Sequence, residues 1–496
     1  MEKNIQINWD KFYRKNPIKE FDLNQTMYTL VKTECIGKEN YYATDFMGNK
    51  KTYKEIFLNA DLLAEAFTRE QIREKDTIGI LTVGIPIVQE LLLASSKIGA
   101  TSAWIDLRKK EREIINDLNK MNCRIIVAFE DERIISNIKR VIDETDVSKV
   151  VIVSPGDYLS PVERTLLNLK NKKEGKTVKI NDDKRFIRLK DFLKQDKIAQ
   201  NMGYKLSPAK FEKERPSIIV GSSGSTGTPK QIIHTEYNFN SAIQKMAYTD
   251  LPFYQGNTMH ISIPPFIIYG LGNSIYGSLA FTMKAKMNPF VEENTIYSDL
   301  GEFDIALGAP LHYRYIYNQI LDLQKRIEQL SKEEKLNKNT KKELSKCIRE
   351  LTIAQEGIRR VKAFVSGGDK IGAEELLEME RLFERPIVNG YGNNESLGAA
   401  IVSPMYANKP GSIGIPMKGV EIKIVEEETG KKLRKGNIGE LYIKTDSAFI
   451  EYLGNKEETN RIKIRDEEGE WIKSGDLAYI DEDGYIIHKG KSKTNQ

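Results

Sequence analysis

Residues 218–230 have the sequence IIVGSSGSTGTPK, and the interpretation of the whole chain depends on them. The apolar Ile-Ile-Val triplet predicts the end of a strand, and the next ten residues contain three glycines, five hydroxyl side chains and a final lysine. Glycine lets backbone N–H groups turn toward an anion, while serine, threonine and lysine add donors and positive charge. The stretch therefore predicts a loop that surrounds phosphate. Its expected phosphate-binding residues are Ser222, Ser223, Gly224, Ser225, Thr226, Gly227 and Lys230.

Two other interpretations of this loop are disfavoured. In the P-loop pattern GxxxxGK[ST] the lysine directly follows a glycine, whereas here Pro229 precedes Lys230 and the last glycine lies three residues back. A flexible Ser/Gly linker would not usually follow an apolar strand and end in a single Pro-Lys pair. The spacing favours a phosphate loop of a different family.

Composition limits the class of protein. The chain has 496 residues, 40% of them hydrophobic, which is enough for a large core and two or three domains. Lys and Arg number 76 against 71 Asp and Glu, so the small excess of positive charge argues against a dedicated nucleic-acid binder. The three cysteines lie far apart without a CxxC pair, which suggests neither a disulfide framework nor a zinc site. We expect a cytoplasmic protein.

An uncharged stretch runs from Leu251 to Met283, 33 residues without Asp, Glu, Lys or Arg. A membrane span is disfavoured because Pro264-Pro265 would break it and many of its later residues are small or polar. We expect no transmembrane segment and interpret the stretch as a buried pocket wall or core element.

The order of apolar segments predicts an α/β protein with two lobes of mostly parallel sheets flanked by helices, plus a small antiparallel β-barrel subdomain. Short apolar strands alternate with helices from residue 77 to 153, a pattern typical of βαβ units. Later strands are short and separated by glycine and proline turns, which favours an antiparallel unit. The predicted divisions are 1–205, the first lobe; 206–385, the second lobe with the phosphate loop; 386–490, the barrel; and 491–496, the start of a hinge.

A helical hairpin is predicted over residues 316–360. Its first helix has apolar residues at spacings of four, three, four and three, from Ile316 to Leu330. Thr340 with Glu343 predicts a capping box for the second helix. Two such apolar faces usually pack on each other or on the parent domain, and docking of a partner is the alternative.

The loop SSGSTGTPK resembles the signature loop of the adenylate-forming superfamily, which contains acyl-CoA synthetases, luciferases and the adenylation domains of peptide synthetases. Three later segments resemble its other nucleotide-binding motifs in the same order: SGGD at 366–369, YGNNE at 391–395 and SGDL at 474–477. The resemblance implies a glycine pair against adenine, an aromatic ring stacked on the base and an aspartate that accepts from the ribose hydroxyls. The residues carried over are Gly367, Gly368, Asp369, Gly390, Tyr391, Gly392, Asn393, Asn394, Glu395, Asp476 and Lys491.

The same resemblance implies ATP, Mg²⁺ and CoA as cosubstrates and cofactor. Thr226 and Glu395 would ligate the metal, and Thr226, Lys230 and Glu395 would be catalytic. Asn394 departs from the family motif, where threonine is usual. An amide can still donate to the α-phosphate.

Residues 265–272, PFIIYGLG, resemble the acyl- and aryl-CoA ligase segment PxFHxYG, with Ile267 where histidine is common. Amino-acid-activating relatives carry an aspartate soon after the aromatic residue, and none is present here. Because a buried ammonium without a counter-charge is costly, this favours an apolar acid. The expected acyl-binding residues are His260, Phe266, Ile267, Tyr269 and Gly270.

The implied reaction is ATP-dependent adenylation of a fatty or aryl acid to acyl-AMP, followed by thioester formation with CoA. One alternative acceptor is an acyl-carrier protein. In this superfamily a C-terminal lid follows a GRxxD hinge; Lys491 stands where that arginine is usual, and we expect the lid to be absent from this chain. A lidless nucleotide-binding protein with a regulatory role is therefore the third hypothesis.

Overall fold

The structure is a computed structural model that describes residues 8–178, 180, 183–194, 206–222, 230–289, 299–333 and 337–493. The strands are β1 Tyr42–Phe46, β2 Asn49–Thr52, β3 Thr77–Leu81, β4 Thr101–Trp104, β5 Cys123–Phe129, β6 Lys149–Val153, β7 Phe186–Arg188, β8 Pro216–Gly221, β9 Gln231–Thr235, β10 Thr258–Ile261, β11 Lys284–Met287, β12 Ile305–Gly308, β13 Ala363–Ser366, β14 Ile387–Tyr391, β15 Ile401–Val402, β16 Ile415–Pro416, β17 Glu421–Val425, β18 Gly439–Lys444, β19 Lys463–Asp466, β20 Gly469–Ile480 and β21 Ile486–Lys491.

The helices alternate with these strands in the first half of the chain, as expected for βαβ units. They are α1 Met27–Glu34, α2 Tyr53–Arg69, α3 Ile87–Ile98, α4 Glu111–Lys120, α5 Glu132–Val141, α6 Pro161–Lys173, α7 Leu189–Phe192, α8 Glu236–Ala247, α9 Gly277–Ala280, α10 Pro310–Ser331, α11 Lys338–Arg360, α12 Ala373–Phe383 and α13 Lys456–Ile462.

Two large sheets form the body of the protein, and the predicted α/β class is confirmed. The seven-stranded sheet has the order β7-β6-β5-β3-β4-β8-β9 and is parallel except for the pair β8/β9. The nine-stranded sheet has the order β16-β15-β14-β13-β12-β10-β11-β1-β2, with antiparallel pairs only at its two edges. Strands such as β5 and β6 are runs of Val and Ile buried almost throughout, which is typical of parallel strands covered on both faces.

Each large sheet is assembled from separated stretches of the chain. β8, predicted to open the second lobe, pairs with β4 in the seven-stranded sheet, whereas β1 and β2 lie in the nine-stranded sheet. The divisions at residues 205 and 385 therefore fall between strands that share a sheet. The reason is that crossover connections, and not nearness in sequence, decide which strands become neighbours.

The predicted small barrel is wrong, because the third sheet is open. β17, β18 and β20 pair antiparallel in that order, and β19 and β21 pair with opposite ends of β20. Among the described residues, β17 does not pair with β19 or β21, so no barrel closes. β20 has twelve residues, long enough for two short strands to share its far edge, and a sequence pattern of short strands cannot reveal that.

The uncharged stretch is largely buried. It supplies β10, a π-helical segment Tyr269–Tyr276 and α9, nearly all of which are shielded from solvent. The main core contains apolar residues of both large sheets and of this stretch. No described helix combines the length and apolarity that crossing a bilayer requires.

The hairpin α10/α11 is present, but its cap is not the predicted one. α11 begins at Lys338, and the Asn337 side chain accepts hydrogen bonds from the backbone N–H groups of Asn339 and Thr340. The Thr340 hydroxyl instead donates to Glu333. The predicted Thr340 capping box is therefore wrong, because asparagine is an equally good cap and stands three residues earlier.

The base of the hairpin packs on the parent domain. Ile316 and Ile320 of α10 join Ala354 and Ile358 of α11 in a second core, which also includes Phe364 of β13. Ile353, which directly precedes Ala354 in α11 but lies on the outer face of the helix, is 56% exposed. The prediction that the apolar faces of the hairpin pack on each other or on the parent domain is thus confirmed for the base of the hairpin.

We expect Ile320→Ala to lower the free energy of unfolding by about 2–5 kcal/mol, because it leaves a cavity in this second core. Ile353→Ala, the matched control, should change it by less than about 0.5 kcal/mol. Urea denaturation followed by circular dichroism measures both. Equal effects of the two substitutions would contradict the docking of the hairpin base.

Candidate active site

The base of the predicted phosphate loop is closed by two hydrogen bonds. The Ser222 N–H donates to the Lys230 carbonyl oxygen (2.7 Å), and the Lys230 N–H donates to Ser222 Oγ (2.9 Å). These residues directly follow β8 and directly precede β9, which pair antiparallel. The predicted loop residues Ser223, Gly224, Ser225, Thr226 and Gly227 lie outside the described residues, and their roles stay predictions.

Lys230 and Glu395 are brought together by a tyrosine. Lys230 Nζ lies 5.1 Å from the centre of the Tyr452 ring, and the Tyr452 hydroxyl donates to Glu395 Oε1 (2.7 Å). Lys230 Nζ also lies 3.0 Å from Glu458 Oε1 at the start of α13. One phosphate-loop cation and one predicted metal ligand therefore share a single cluster.

Sequence analysis missed Tyr452 and Glu458. Residues 450–453 run antiparallel to β9: the Ile233 N–H donates to the Glu451 carbonyl oxygen, and the Leu453 N–H donates to that of Gln231. This pairing places Tyr452 beside the loop base. No signal in the local sequence marks either residue, because a single aromatic in a charged segment is common on protein surfaces.

The YGNNE motif is fastened to the loop base by Asn394. Its Nδ2 donates to the carbonyl oxygen of Gly221 (2.8 Å), the last residue of β8. His234 Nε2 donates to the Asn394 carbonyl oxygen (2.8 Å), since that oxygen only accepts. The amide that departs from the family pattern thus holds the end of the strand that precedes the loop.

His234 is buried and neutral. It is fully shielded from solvent, and this burial lowers its pKa from 6.5 to about 4, although the hydrogen bond to Asn394 acts in the opposite direction. Its Nδ1 has no hydrogen-bond partner among the described residues. The histidine therefore serves as a fixed donor at neutral pH.

Glycines of the SGGD and YGNNE motifs let neighbouring segments of the protein pack closely where β13 and β14 end. A Cβ on Gly392 would lie 2.5 Å from the Gly398 carbonyl carbon, so no side chain fits there. A Cβ on Gly367 would lie 3.2 Å from both the Gly390 carbonyl oxygen and the Tyr269 ring. The carboxyl ends of parallel strands are where α/β proteins bind ligands, and the predicted residues Gly367, Gly390 and Tyr269 meet at that edge.

Asp476 is the centre of a second polar cluster. Its Oδ2 accepts from the Tyr391 hydroxyl (2.6 Å), and its Oδ1 lies 3.1 Å from His488 Nε2 and 2.9 Å from Lys491 Nζ. Burial alone would raise the pKa of Asp476, but the hydrogen bonds from His488, Lys491 and Tyr391 outweigh it and hold that pKa below its usual value. An ionised carboxylate has about four acceptor sites, so Asp476 with these three partners can still accept from one further hydroxyl.

This cluster unites three predicted residues and one that was missed. Tyr391, Asp476 and Lys491 come from different motifs, and His488 of β21 joins them without any motif of its own. Asp369, in contrast, is exposed, and its carboxylate accepts from the N–H of the adjacent Lys370. The structure does not bring Asp369 into either cluster.

The predicted acyl-binding residues divide between two faces of the nine-stranded sheet. Phe266, Ile267 and Tyr269 pack against the main core, as do Met259 and Ile261 of β10. His260 alternates with these two residues along β10, and it contacts Asp299 (3.3 Å) and the ring of Phe303 in the second core. His260 therefore lies apart from the other acyl candidates.

Gly270 lies where the backbone of the uncharged stretch, the predicted pocket wall, passes close to itself. A Cβ there would lie 2.5 Å from the Pro264 carbonyl oxygen, so the chain can pass only with glycine. The position follows Tyr269, whose hydroxyl donates to the Val365 carbonyl oxygen (3.3 Å). The wall is thereby fixed to the end of β13.

The residues present fit Mg²⁺ as a metal shared with a substrate. Among the described residues no three His, Cys, Asp or Glu side chains converge to hold a metal. Mg²⁺ is usually bound by one or two carboxylates together with substrate phosphates and water. Glu395 offers such a carboxylate, since its Oε2 has no hydrogen-bond partner among the described residues and its Oε1 is oriented by Tyr452.

We expect acid to destabilise the fold through His234. Because its folded pKa lies below its unfolded value, the unfolded state takes up the proton first, so this histidine's contribution is complete above about pH 6.5 and falls as the pH drops toward 4. The loss of unfolding free energy between pH 7 and pH 5 should be about 2 kcal/mol smaller in His234→Gln than in the wild type. Urea denaturation at both pH values measures it, and equal losses would show that His234 is not buried as a neutral donor.

Comparison with known proteins assigns the family. The model of the family described as AMP-binding enzyme matches residues 32–453. The luciferin 4-monooxygenase of Photuris pensylvanica is 24% identical over 463 residues, covering 92% of this chain and 74% of that protein. A probable CoA ligase of Humulus lupulus is 24% identical over 446 residues, covering 89% and 70%. The crystal structure of the anthranilate CoA ligase AuaEII in complex with anthranoyl-AMP superposes with a TM-score of 0.74 at 18% identity, covering 96% of this chain and 80% of that one. With two large, mostly parallel sheets and a family match over most of its length, the chain belongs to the AMP-binding enzymes.

Proposed function

We propose that this protein uses ATP to adenylate an apolar carboxylic acid and then passes the acyl group to the thiol of CoA. The observation that carries the proposal is the convergence of the Lys230–Tyr452–Glu395 cluster and the Tyr391–Asp476–Lys491 cluster. Both clusters contain residues of the YGNNE motif, four residues apart in the chain. One nucleotide can therefore contact the two together.

The Asp476 cluster suits the nucleoside. Asp476 is only 5% exposed and ionised, and it has room for one further donor, so it can accept from a ribose hydroxyl, which is a neutral donor. Tyr391 is held by its hydrogen bond to Asp476, which leaves the face of its ring to stack on a base. The backbone at Gly368 is open to a ligand, because an added Cβ there would meet no atom within 4 Å.

The Lys230 cluster suits the phosphates. Lys230 supplies a positive charge to oxygens that gain charge as pyrophosphate leaves, and Glu395 supplies a carboxylate for the metal. Mg²⁺, when bound, neutralises phosphate charge and orients the transferring group. A triphosphate that accepts from Lys230 competes with Glu458 for the same ammonium group.

The acid is proposed to be apolar because of the wall formed by residues 251–283. This stretch is largely buried and carries no ionised side chain that could pair with a substrate ammonium. The substrate carboxylate itself attacks the α-phosphorus in line, so the protein needs to position the acid and does not need a nucleophile of its own. Apolar packing of the acyl group can provide that positioning. The CoA ligases among the relatives support CoA as the thiol acceptor.

We expect Lys230→Ala to weaken MgATP binding by about 10- to 150-fold, because it removes a charge-assisted contact worth about 1.5–3 kcal/mol. Lys456→Ala, which removes an exposed lysine of α13, is the matched control and should leave the affinity unchanged. Isothermal titration calorimetry measures both without turnover. Full affinity in a folded Lys230→Ala protein would exclude this loop from nucleotide binding.

We expect an acyl-adenylate analogue with an amino-acid group to bind at least about 100-fold more weakly than its apolar counterpart, since burying an unpaired ammonium costs several kcal/mol. Calorimetry with 5′-O-(N-acylsulfamoyl)adenosines that carry an octanoyl, benzoyl or leucyl group measures this and separates fatty from aryl preference. Tightest binding of the leucyl analogue would overturn the assignment of an apolar acid.

The acceptor is tested separately with whichever acid is preferred. Pyrophosphate release followed by thioester formation with free CoA is the expected result. Thioester formation only with a phosphopantetheine-bearing carrier protein would instead assign the carrier-protein ligase.

A further inference from the structure

Helix α6 buries none of its residues and exposes a row of aliphatic side chains. Val162 is 70% exposed, and Leu166 and Leu169 are each 60% exposed. Their spacing of four and three places them on one face of the helix. A surface helix normally turns such a face toward the core. Here the neighbouring Leu167, about 100° around the helix, packs partly against the main core, so the aliphatic row faces outward.

The helix is held in this orientation at its N-terminal end. Ser160 and Glu163 form a capping box, and Pro161 occupies the first helical position. Glu163 Oε2 also accepts a hydrogen bond from Nδ2 of Asn49, the first residue of β2 (3.0 Å). These contacts fix the exposed row relative to the nine-stranded sheet.

The same hydrogen bond brings a fourth apolar side chain to this surface. Asn49 Nδ2 also donates to the Met47 carbonyl oxygen (3.3 Å), so the turn that carries Met47 lies beside the first turn of α6. Met47 is 62% exposed. We call the surface formed by Met47, Val162, Leu166 and Leu169 the α6 patch.

Positive charge borders the patch at the C-terminal end of the helix. Lys170, Lys172 and Lys173 form no salt bridge with any carboxylate of the described residues, whereas Lys176 pairs with Glu174. Lysine is a flexible cation whose stem can lie along apolar surface while its head reaches solvent. An aliphatic face next to uncompensated lysines is the chemistry of a helix that lies in a membrane interface.

We propose that the α6 patch docks this protein on a lipid bilayer that carries anionic headgroups. The aliphatic row enters the boundary between headgroups and acyl chains, and the three lysines contact the anionic headgroups. The inference does not depend on the substrate, because it uses none of the residues of the active site.

Two observations favour a bilayer over a protein partner. The patch is one row of a single helix with one neighbouring turn, whereas a stable protein interface buries about 800 Å² on each side. Lysine is also depleted at the centres of protein interfaces but attracted to anionic lipid. A fluid bilayer adapts to a narrow, convex, basic ridge without requiring a complementary surface.

Vesicle cosedimentation of the full chain tests the proposal. The probes are phosphatidylcholine vesicles with and without phosphatidylserine at about one-third of the lipid, at low and high salt. The test variants are Leu166→Gln with Leu169→Gln, and the triple replacement of Lys170, Lys172 and Lys173 by Gln. Glutamine keeps helix propensity. The matched controls on α11 are Ile348→Gln with Ile353→Gln, and the triple replacement of Lys338, Lys341 and Lys342 by Gln, all exposed positions.

We expect the wild type to sediment with phosphatidylserine vesicles and to be released by salt. The leucine pair should weaken binding at least about ten-fold, and each lysine should contribute about five-fold on phosphatidylserine vesicles only. The α11 variants should bind like the wild type, and unchanged circular dichroism should show that all variants are folded.

The proposal is overturned if the wild type does not bind phosphatidylserine vesicles or if the α11 variants lose binding to the same extent. A second copy of this chain is the competing occupant of the α6 patch, and sedimentation velocity of the wild type and the double leucine variant tests for it. Self-association that is abolished by the leucine pair, without vesicle binding, would make the patch an interface between copies of this chain.

Discussion

The hydrogen bond from Asn394 Nδ2 to the Gly221 carbonyl oxygen joins the two large sheets where their strands end. Gly221 closes β8 of the seven-stranded sheet, and Asn394 follows β14 of the nine-stranded sheet by three residues. A single hydrogen bond contributes only about 0.5–1.5 kcal/mol, so its importance is geometric. His234, buried on β9, donates to the Asn394 carbonyl oxygen and thereby fixes the same residue from the other side. The loop base and the YGNNE motif consequently keep one relative position.

A second constraint places charge at this junction. Residues 450–453 pair with β9 and carry Tyr452 between Lys230 and Glu395, while α13 directly afterwards presents Glu458 to Lys230. Lys230 thus has a carboxylate partner at the start of a helix, where negative charge is also favoured by the helix dipole. In the proposed function, phosphate oxygens must interact with Lys230 more favourably than the Glu458 carboxylate does. A multiply charged phosphate chain with its metal would then compete with Glu458 for Lys230 more effectively than a singly charged anion would.

The sequence predicted what depends on local chemistry and missed what depends on long-range pairing. Alternating apolar strands and helices gave the α/β class, and motif spacing identified Lys230, Tyr391, Glu395 and Asp476, which the structure gathers into two clusters. Tyr452, Glu458 and His488 were missed because their positions follow from strand pairing across the chain. His260 was grouped with Phe266 from its nearness in sequence, although the alternation of β10 turns it to the opposite face. The third sheet was expected to close, and only the register of β20 shows that it stays open.

The Tyr391–Asp476 hydrogen bond extends the junction to the third sheet. Burial and the Asp476 charge raise the pKa of Tyr391 far above its usual value, so this tyrosine remains a neutral donor across the physiological range. Tyr391 ends β14 of the nine-stranded sheet, Asp476 lies on β20 of the open sheet, and Gly221 ends β8 of the seven-stranded sheet. The candidate site is therefore built from the ends of β8 and β14 and from the interior of β20, and its geometry follows from how the three sheets are joined.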